Sequence, residues 1–320
     1  MHKQFYGFAE EPFPINQDND FWYPTRNNNE VLTSMMSAIK DRKGIVLITG
    51  EEGTGKTILL RKLLEMLDRS VTTILISRPS ESFEEMLREI LRDLELPPEG
   101  PDKSSMLSQF LEFLDRELSK DETVLIAVDQ AHEISGQVLE ELRILCNSRQ
   151  GSPGSRSVQV ILVGRPELEE KLRSRELRQL QQRVVVRCRL QPLSEIEIQQ
   201  YVEHRLQKVG RSMADIFTPD AVDLIGKYSQ GIPRSINMLC YMAICGGYVM
   251  SRKKIGPDLV EKVFPVVGTR RPGRRKGVAG SAKGLVDHFE KSPLITKITY
   301  ILFIYSFLTL FIVFWLNLLY

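Results

Sequence analysis

The chain has 320 residues, of which 42% are hydrophobic and 26% are charged, and its formal net charge at pH 7 is +2. This length suffices for one α/β domain and a smaller second domain. Because acidic and basic residues nearly balance, charge alone predicts no nucleic-acid-binding protein.

The N-terminal residues and the cysteines both indicate an intracellular protein in a reducing compartment. Residues 1–13 contain no apolar run, so we expect no signal peptide. The cysteines lie among apolar neighbours, and their spacing matches neither a zinc site nor a disulfide framework. They are Cys146, Cys188, Cys240 and Cys245. We interpret them as buried, reduced side chains.

Short apolar segments then alternate with helical patterns over the first 190 residues. The predicted strands occupy residues 44–50, 71–77, 124–130, 158–164 and 182–190. One helix between them begins after Ser82, which has Glu85 at the capping-box spacing. This alternation predicts an α/β fold in which helices cover both faces of a parallel sheet.

After residue 191 the pattern becomes wholly helical, with helices predicted at 195–209, 219–229, 233–250 and 257–263. These helices predict a small all-helical lid. The full domain prediction is an N-terminal segment and first helix at 1–43, a P-loop core at 44–191, the lid at 192–265, a basic flexible linker at 266–297 and a transmembrane helix at 298–320.

A phosphate-binding motif follows the first predicted strand. Between this strand and a helix stands GEEGTGKT, which matches G-x-x-x-x-G-K-[ST] in full. Backbone N–H groups of such a loop cradle phosphates, its lysine neutralises their charge, and its last hydroxyl binds Mg²⁺. The cofactors predicted are therefore ATP and Mg²⁺. The predicted contacts are Gly50, Glu51, Glu52, Gly53, Thr54, Gly55, Lys56, Thr57 and Ile58.

Asp129 ends a buried strand, so its carboxylate should emerge at the edge of the sheet that carries the phosphate loop. We predict that Asp129 binds Mg²⁺ together with Thr57. The following position commonly holds a glutamate that polarises the attacking water, and here it holds Gln130. Glutamine can hydrogen-bond this water but cannot accept its proton. Glu133 is expected to lie out of reach.

Residues 298–320 include no charged side chain. As a helix, 23 residues would span about 34 Å, enough for a hydrocarbon core of roughly 30 Å. Arginines and lysines precede this segment and none follow, so the positive-inside rule predicts a C-terminal anchor with the rest of the chain in the cytoplasm. The basic run is either a topology signal on a linker or a contact with anionic lipids.

Several motifs together resemble one family. They are FYGFAEEPFPINQDNDFWYPT, GEEGTGKT, LVGRPEL, LRQLQQR, YVEHRL and GIPRSINMLC. In this order they are similar to the AAA+ ATPases of the general secretion pathway protein A (ExeA) type, over residues 5–263. The resemblance is to a short form that ends in a C-terminal transmembrane helix. It implies an AAA+ module that binds ATP between the core and the lid.

The resemblance also implies roles for single residues. Arg234 matches the lid arginine that reaches the γ-phosphate, although it could be a surface residue. Arg183 matches the arginine finger that a neighbouring subunit supplies, although it could be a strand-edge residue. Phe21, Trp22 and Tyr23 either cover the adenine or pack in the core.

Three positions depart from the family pattern. Gln130 stands where the family has glutamate, Arg165 where it has glutamine, and Arg149 where an acidic residue is common. An added positive charge near the γ-phosphate would favour binding over activation of water. These departures predict slow hydrolysis or none.

The function predicted is a membrane-anchored, ATP-binding AAA+ protein. We expect a slow ATPase that acts as a nucleotide-dependent assembly factor for a secretion or envelope-export system. The catalytic residues would be Lys56, Asp129, Gln130, Arg183 and Arg234. The expected partners are further copies of the chain in a ring, inner-membrane or envelope export proteins and the lipid bilayer of the bacterial inner membrane.

Two alternatives remain. A hydrolysis-deficient ATP-binding scaffold is favoured by Gln130. A DNA-transposition-type AAA+ regulator shares the core, but the balanced charge and the apolar C-terminal segment argue against it.

Overall fold

The structure is a computed structural model of the chain, and it describes residues 2–14, 22–98, 100, 102–117, 122–147 and 157–267. Residues 1–269 form one compact unit. The predicted transmembrane helix and most of the predicted linker lie outside the described residues, as do Phe21 and Arg149. Within the described ranges, no helix combines the length and the apolar character needed to cross a membrane.

A parallel five-stranded sheet organises the core, as the sequence predicts. Its strands are β1 Ile45–Gly50, β2 Val71–Ile76, β3 Thr123–Val128, β4 Ser157–Gly164 and β5 Val184–Leu190. Their spatial order is β2-β3-β4-β1-β5, and each neighbouring pair is parallel. The strands therefore all end at the same edge of the sheet.

Helices cover both faces of this sheet because its central strands are mainly apolar on both sides. Every residue of β1 and β3 is buried. Alternate residues of β1 point to opposite faces, so Leu47 packs in one apolar cluster and Ile48 in the other. The core helices are α2 Arg26–Lys40, α3 Lys56–Met66, α4 Phe83–Asp93, α5 Lys103–Arg116, α6 Gly136–Asn147, α7 Glu167–Leu172 and α8 Arg178–Arg183.

The helix start predicted at Ser82 is confirmed, because the Ser82 hydroxyl accepts a hydrogen bond from the backbone N–H of Glu85 at 3.2 Å. The next helix, α5, is capped by the Asp102 carboxylate, which accepts a hydrogen bond from Ser105 N at 3.1 Å. Both caps satisfy backbone donors that the first turn of a helix leaves without an intrahelical partner.

A second apolar core forms the lid. Its helices are α9 Glu195–Lys208, α10 Met213–Ile216, α11 Pro219–Ser229, α12 Pro233–Val249 and α13 Pro257–Val267. Ser194 and Glu197 form a reciprocal capping box at the start of α9, immediately after the core ends. The helical pattern predicted for this region is therefore present, with the short α10 as an addition.

The N-terminal segment is also part of the lid. Helix α1, His2–Tyr6, and the residues after it contribute three buried aromatic side chains to the lid core. They are Tyr6, Phe8 and Phe13. Phe13 is fully buried and meets Phe217 edge to face, with 6.5 Å between the ring centroids. The lid is thus built from two separate stretches of the chain.

We expect Phe13→Ala to destabilise the lid by about 3–5 kcal/mol, because truncating a fully buried phenylalanine removes its apolar contacts and leaves a cavity. Urea unfolding followed by circular dichroism measures this loss. Val249→Ala, at a lid residue that is 53% exposed, is the control and should change little. Equal stability of the two variants would contradict the placement of Phe13 in the lid core.

Candidate nucleotide-binding site

The predicted phosphate loop connects β1 to α3. Two of its glycines have positive φ, Gly53 at 86° and Gly55 at 96°, a conformation that side chains disfavour. A Cβ on Gly53 would also lie 2.8 Å from Cβ of Arg234. The loop therefore needs glycine at position 53 both for its turn and for its close contact with the lid.

The lysine of the loop is folded back beneath it. Lys56 Nζ donates hydrogen bonds to the carbonyl oxygens of Gly50 and Glu51, both at 2.8 Å. Burial lowers the pKa of Lys56, and the nearby Asp129 carboxylate opposes this shift. The ammonium group is thus held at the mouth of the loop, next to the N-terminus of α3, where anions bind favourably.

Thr57 and Asp129 meet as predicted for a magnesium site. The Thr57 hydroxyl donates to Asp129 Oδ2 at 2.5 Å, and Asp129 is only 4% exposed. A hydroxyl and a carboxylate supply the oxygen ligands that Mg²⁺ prefers, and Mg²⁺ commonly completes its shell with phosphates and water. No cluster of three or more metal-ligating side chains occurs among the described residues. The pair therefore fits Mg²⁺ that is bound together with a nucleotide.

Gln130 follows Asp129 in a left-handed backbone conformation, with φ at 55°. Its backbone N–H donates to Asp129 Oδ1 at 2.8 Å, and its side-chain amide donates to the Ser77 carbonyl at 3.4 Å. The amide borders the cavity beside Asp129. Because an amide is not a base, Gln130 can orient a water molecule but cannot take its proton.

Two arginines converge on Glu52 at the tip of the loop. Arg165 donates to Glu52 Oε2 at 2.8 Å, and Arg234 donates to Glu52 Oε1 at 3.2 Å. Arg234 also donates its backbone N–H to the Gly53 carbonyl at 3.2 Å. The structure thus brings both arginines to the loop, one from the core and one from the lid. Their side chains are 41% and 68% exposed, so solvent weakens both ion pairs.

These residues share a cavity of about 360 Å³ between the core and the lid. The predicted residues Lys56, Thr57, Asp129, Gln130 and Arg234 line its phosphate end. The lid contributes further lining residues that the sequence analysis missed. They are Phe13, Pro14, Tyr201, Arg205, Asn237 and Met238.

Arg205 is the charged residue among these lid residues, and it is 5% exposed. It donates to the Tyr201 hydroxyl at 2.8 Å and to the Pro12 carbonyl at 2.9 Å. Its guanidinium also lies 5.1 Å from the Tyr201 ring centroid. A sign of this burial existed in the sequence, because Tyr201 and Arg205 are four residues apart and share one face of α9.

Arg183 lies away from the cavity of its own chain. It is exposed at the end of α8, and the next residue, Val184, pairs with Ile45 at the start of β1. The phosphate loop begins at Gly50, so about 17 Å of strand separates the two positions. Any contact with a nucleotide would therefore have to involve another subunit, as the arginine-finger hypothesis requires.

Trp22 and Tyr23, the described members of the aromatic group proposed as an adenine cover, pack elsewhere. Trp22 packs against the apolar cluster that includes α2 and α3. Tyr23 packs on the lid, 5.8 Å from the Tyr201 ring centroid, and its hydroxyl donates to Gln200. Neither side chain lines the cavity, so the alternative of core packing describes both.

Comparison with known proteins identifies the class of protein that this fold and site define. Residues 39–172 match the family model for the AAA domain. The fold resembles Cdc6p of Pyrobaculum aerophilum, with a TM-score of 0.62, 17% identity and coverage of 84% of this chain and 74% of that chain. It also resembles the Aeropyrum pernix ORC2 protein, with a TM-score of 0.59, 18% identity and coverage of 81% and 72%. The chain has an α/β AAA+ P-loop fold.

One known protein is also similar to this chain in amino-acid sequence. Over 275 residues the chain is 34% identical to general secretion pathway protein A of Aeromonas hydrophila. The match covers 85% of this chain and 50% of that protein, so the chain spans about half the length of this relative. The similarity agrees with the resemblance that the motifs indicate.

We expect Glu52→Gln to tighten ATP binding by up to about fivefold, because it removes a carboxylate that repels phosphate and pairs with the arginines, and exposed ion pairs contribute roughly 1 kcal/mol or less. Titration calorimetry measures the affinity. Glu51→Gln is the matched control, since it removes the same charge from the same loop but no arginine pair. Weaker binding by Glu52→Gln would show that Glu52 supports the bound state instead.

Proposed function

We propose that this chain is a membrane-anchored AAA+ protein that binds ATP, hydrolyses it slowly and uses its nucleotide state to control assembly of a secretion or envelope-export system. The observation that carries the ATP-binding part is the convergence of Lys56, Thr57 and Asp129 at one end of a cavity between the core and the lid. Each of these side chains has the chemistry that a bound Mg²⁺–triphosphate requires.

Each residue of the site would have a separate role in holding the nucleotide. The backbone N–H groups of the loop and Lys56 would hold the phosphates, and Thr57 and Asp129 would hold Mg²⁺. The arginines that pair with Glu52 would turn to the terminal phosphate. Mg²⁺ would neutralise charge between the β- and γ-phosphates. Phe13, Tyr201 and Arg205 would border the remainder of the nucleotide.

Slow turnover is proposed because Gln130 offers no base. A general base typically contributes about 10²–10⁴ in rate, but phosphoryl transfer depends mainly on positioning and electrostatics, so some hydrolysis survives without one. The same residue supports the second candidate, an ATP-binding scaffold that does not turn over.

The role in export is supported by similarity to general secretion pathway protein A, and the location by the sequence of the C-terminal segment. Residues 298–320 have the length and composition of a bacterial inner-membrane anchor, and the basic residues before them favour a cytoplasmic ATPase domain. We propose further copies of this chain and export proteins of the membrane as partners.

Steady-state ATP hydrolysis by the full chain tests the enzymatic part. Turnover per chain should rise with protein concentration, disappear in Lys56→Ala and increase in Gln130→Glu, which adds a carboxylate base. ATP binding without turnover, converted to turnover by Gln130→Glu, would replace the ATPase by the scaffold.

Mixing variants in the same assay tests the role of Arg183. If a neighbour supplies this arginine, Arg183→Ala and Lys56→Ala are each inactive but regain part of the activity when mixed, because mixed assemblies contain some intact sites. Arg187→Ala is the matched control on the adjacent strand. Full activity of Arg183→Ala alone would exclude the finger.

Membrane fractionation tests the anchor. The full chain should sediment with membranes and resist carbonate extraction, whereas a chain ending at residue 268 should stay in the supernatant. Replacing the basic residues between 270 and 276 by glutamine distinguishes the two interpretations of this basic segment, a topology signal and a contact with anionic lipids. Retention of the shortened chain on membranes would mean that residues 298–320 are not the anchor.

A further inference from the structure

Among the described residues that line the cavity, we consider three side chains as acceptors for a proton of the attacking water. They are Glu52, Asp129 and His132. Asp129 already accepts hydrogen bonds from Thr57 and from Gln130 N. Glu52 is paired with two arginines. His132 is therefore the acceptor that these contacts leave available.

His132 is held firmly beside the end of β4. The preceding N–H, of Ala131, donates to the Val163 carbonyl at 2.8 Å, and Lys171 Nζ donates to the His132 carbonyl at 2.6 Å. A Cβ added to Gly164 would lie 3.2 Å from His132 N. The backbone of His132 is thus fixed at the edge of the sheet where β3 and β4 end, with the charge of Lys171 on its backbone side.

The imidazole of His132 has an unsatisfied nitrogen. The side chain is 15% exposed, and Nδ1 is buried without a hydrogen-bond partner in the described part of the chain. Nε2 lies 3.9 Å from Glu133 Oε1, beyond hydrogen-bond distance. Buried polar atoms in folded proteins almost always have partners, including bound water. Nδ1 is closed to solvent, whereas Nε2 is not among the buried, unpartnered atoms of the described residues, so Nε2 is the ring nitrogen that a water molecule of the cavity can reach.

The surroundings of His132 favour its neutral form. Burial is the main cause that lowers its pKa, and the positive charges of Arg165 and Lys56 act in the same direction. Glu133 and Glu167 oppose the shift. Because the ordinary pKa of histidine is about 6.5, the ring is neutral at pH 7 and can accept a proton.

We propose that His132 accepts the proton of the attacking water and so replaces the carboxylate that Gln130 lacks. Gln130 then acts as a positioning residue that hydrogen-bonds the same water. This inference rests on the proposed ATPase function.

The hydrolysis step conserves atoms and charge. The water oxygen forms a bond to the γ-phosphorus, and the bond between that phosphorus and the β–γ bridging oxygen breaks. The electron pair of the broken bond leaves with ADP, and one water proton passes to the imidazole. This proton later returns to the released phosphate, so that the ring is neutral again for the next cycle.

Single-turnover hydrolysis by the full chain, with the chain in excess over ATP and with saturating Mg²⁺, tests the proposal. His132→Ala should lower the rate by about 10²-fold, without loss of ATP affinity. His132→Gln should be equally slow, because it keeps a polar side chain but cannot accept a proton. In the Gln130→Glu background, His132→Ala should cost little, since a carboxylate then serves as the base.

His204 provides the matched control. Its Nδ1 is likewise buried without a partner in the described residues, and burial likewise lowers its pKa, but it lies on α9 and does not line the cavity. His204→Ala should therefore leave the single-turnover rate unchanged. A rate loss equal to that of His132→Ala would show a structural effect and overturn the proposal.

The pH dependence gives a second distinction. The neutral ring is the active form, so the rate of the unmodified chain should fall on acidification as the ring becomes protonated. This acid limb should be absent in His132→Gln. A rate that instead falls as pH rises from 6 to 8 would mean that the protonated ring is needed, and would overturn the proposal.

Histidine NMR provides a readout that is independent of turnover. The imidazole signals that disappear in His132→Gln should move to a higher titration midpoint when a non-hydrolysable ATP analogue and Mg²⁺ are added, because the bound triphosphate adds negative charge nearby. The His204 signals should not move. An unchanged His132 midpoint would place the ring away from the nucleotide and overturn the proposal.

The outcomes separate this inference from the proposed function. Turnover that is lost in Lys56→Ala but kept in His132→Ala overturns the inference and leaves the ATPase intact. Absence of turnover in the unmodified chain, with ATP still bound, overturns both.

Discussion

The parallel pairing of β1, β4 and β3 is the constraint on which the rest of this structure depends. Because the three strands run in the same direction and in fixed register, they end at one edge of the sheet. The phosphate loop, Asp129 and Arg165 follow these three ends. Their polar groups are therefore assembled by backbone hydrogen bonds that lie far from the groups themselves, and the buried strand residues hold them without taking part in the chemistry.

The lid completes this arrangement by bringing groups that the sheet edge lacks. Arg234 reaches the loop from the start of α12, and the tight contact at Gly53 fixes how closely the lid approaches. Glu52 joins the lid arginine to Arg165 of the core. The core and lid walls of the cavity are consequently connected by charge at the phosphate end.

Much of the core could be predicted from sequence because its signals are local. Strands such as Thr123–Val128 are mainly apolar and are followed directly by a polar residue. The phosphate loop has glycines at fixed spacing. The burial of Phe13 in the lid could not be predicted, since it depends on contact with Phe217, some two hundred positions away. The pairing of Glu52 with two arginines is similarly non-local, and so is the neighbourhood of His132. Periodicity describes which face of an element is apolar but not which distant element covers it.

The incorporation of residues 2–14 into the lid restricts how the lid can move. The lid consists of an N-terminal part and a C-terminal part that share one apolar core, and the Arg205 hydrogen bond to Pro12 joins them. The chain therefore enters the core from the lid before residue 22 and returns to the lid after residue 190. A body attached at two points rotates most freely about the line through them, whereas one attached at a single point can swing in several directions. Opening of this cavity should accordingly be a rotation about one axis that carries the N-terminus with it.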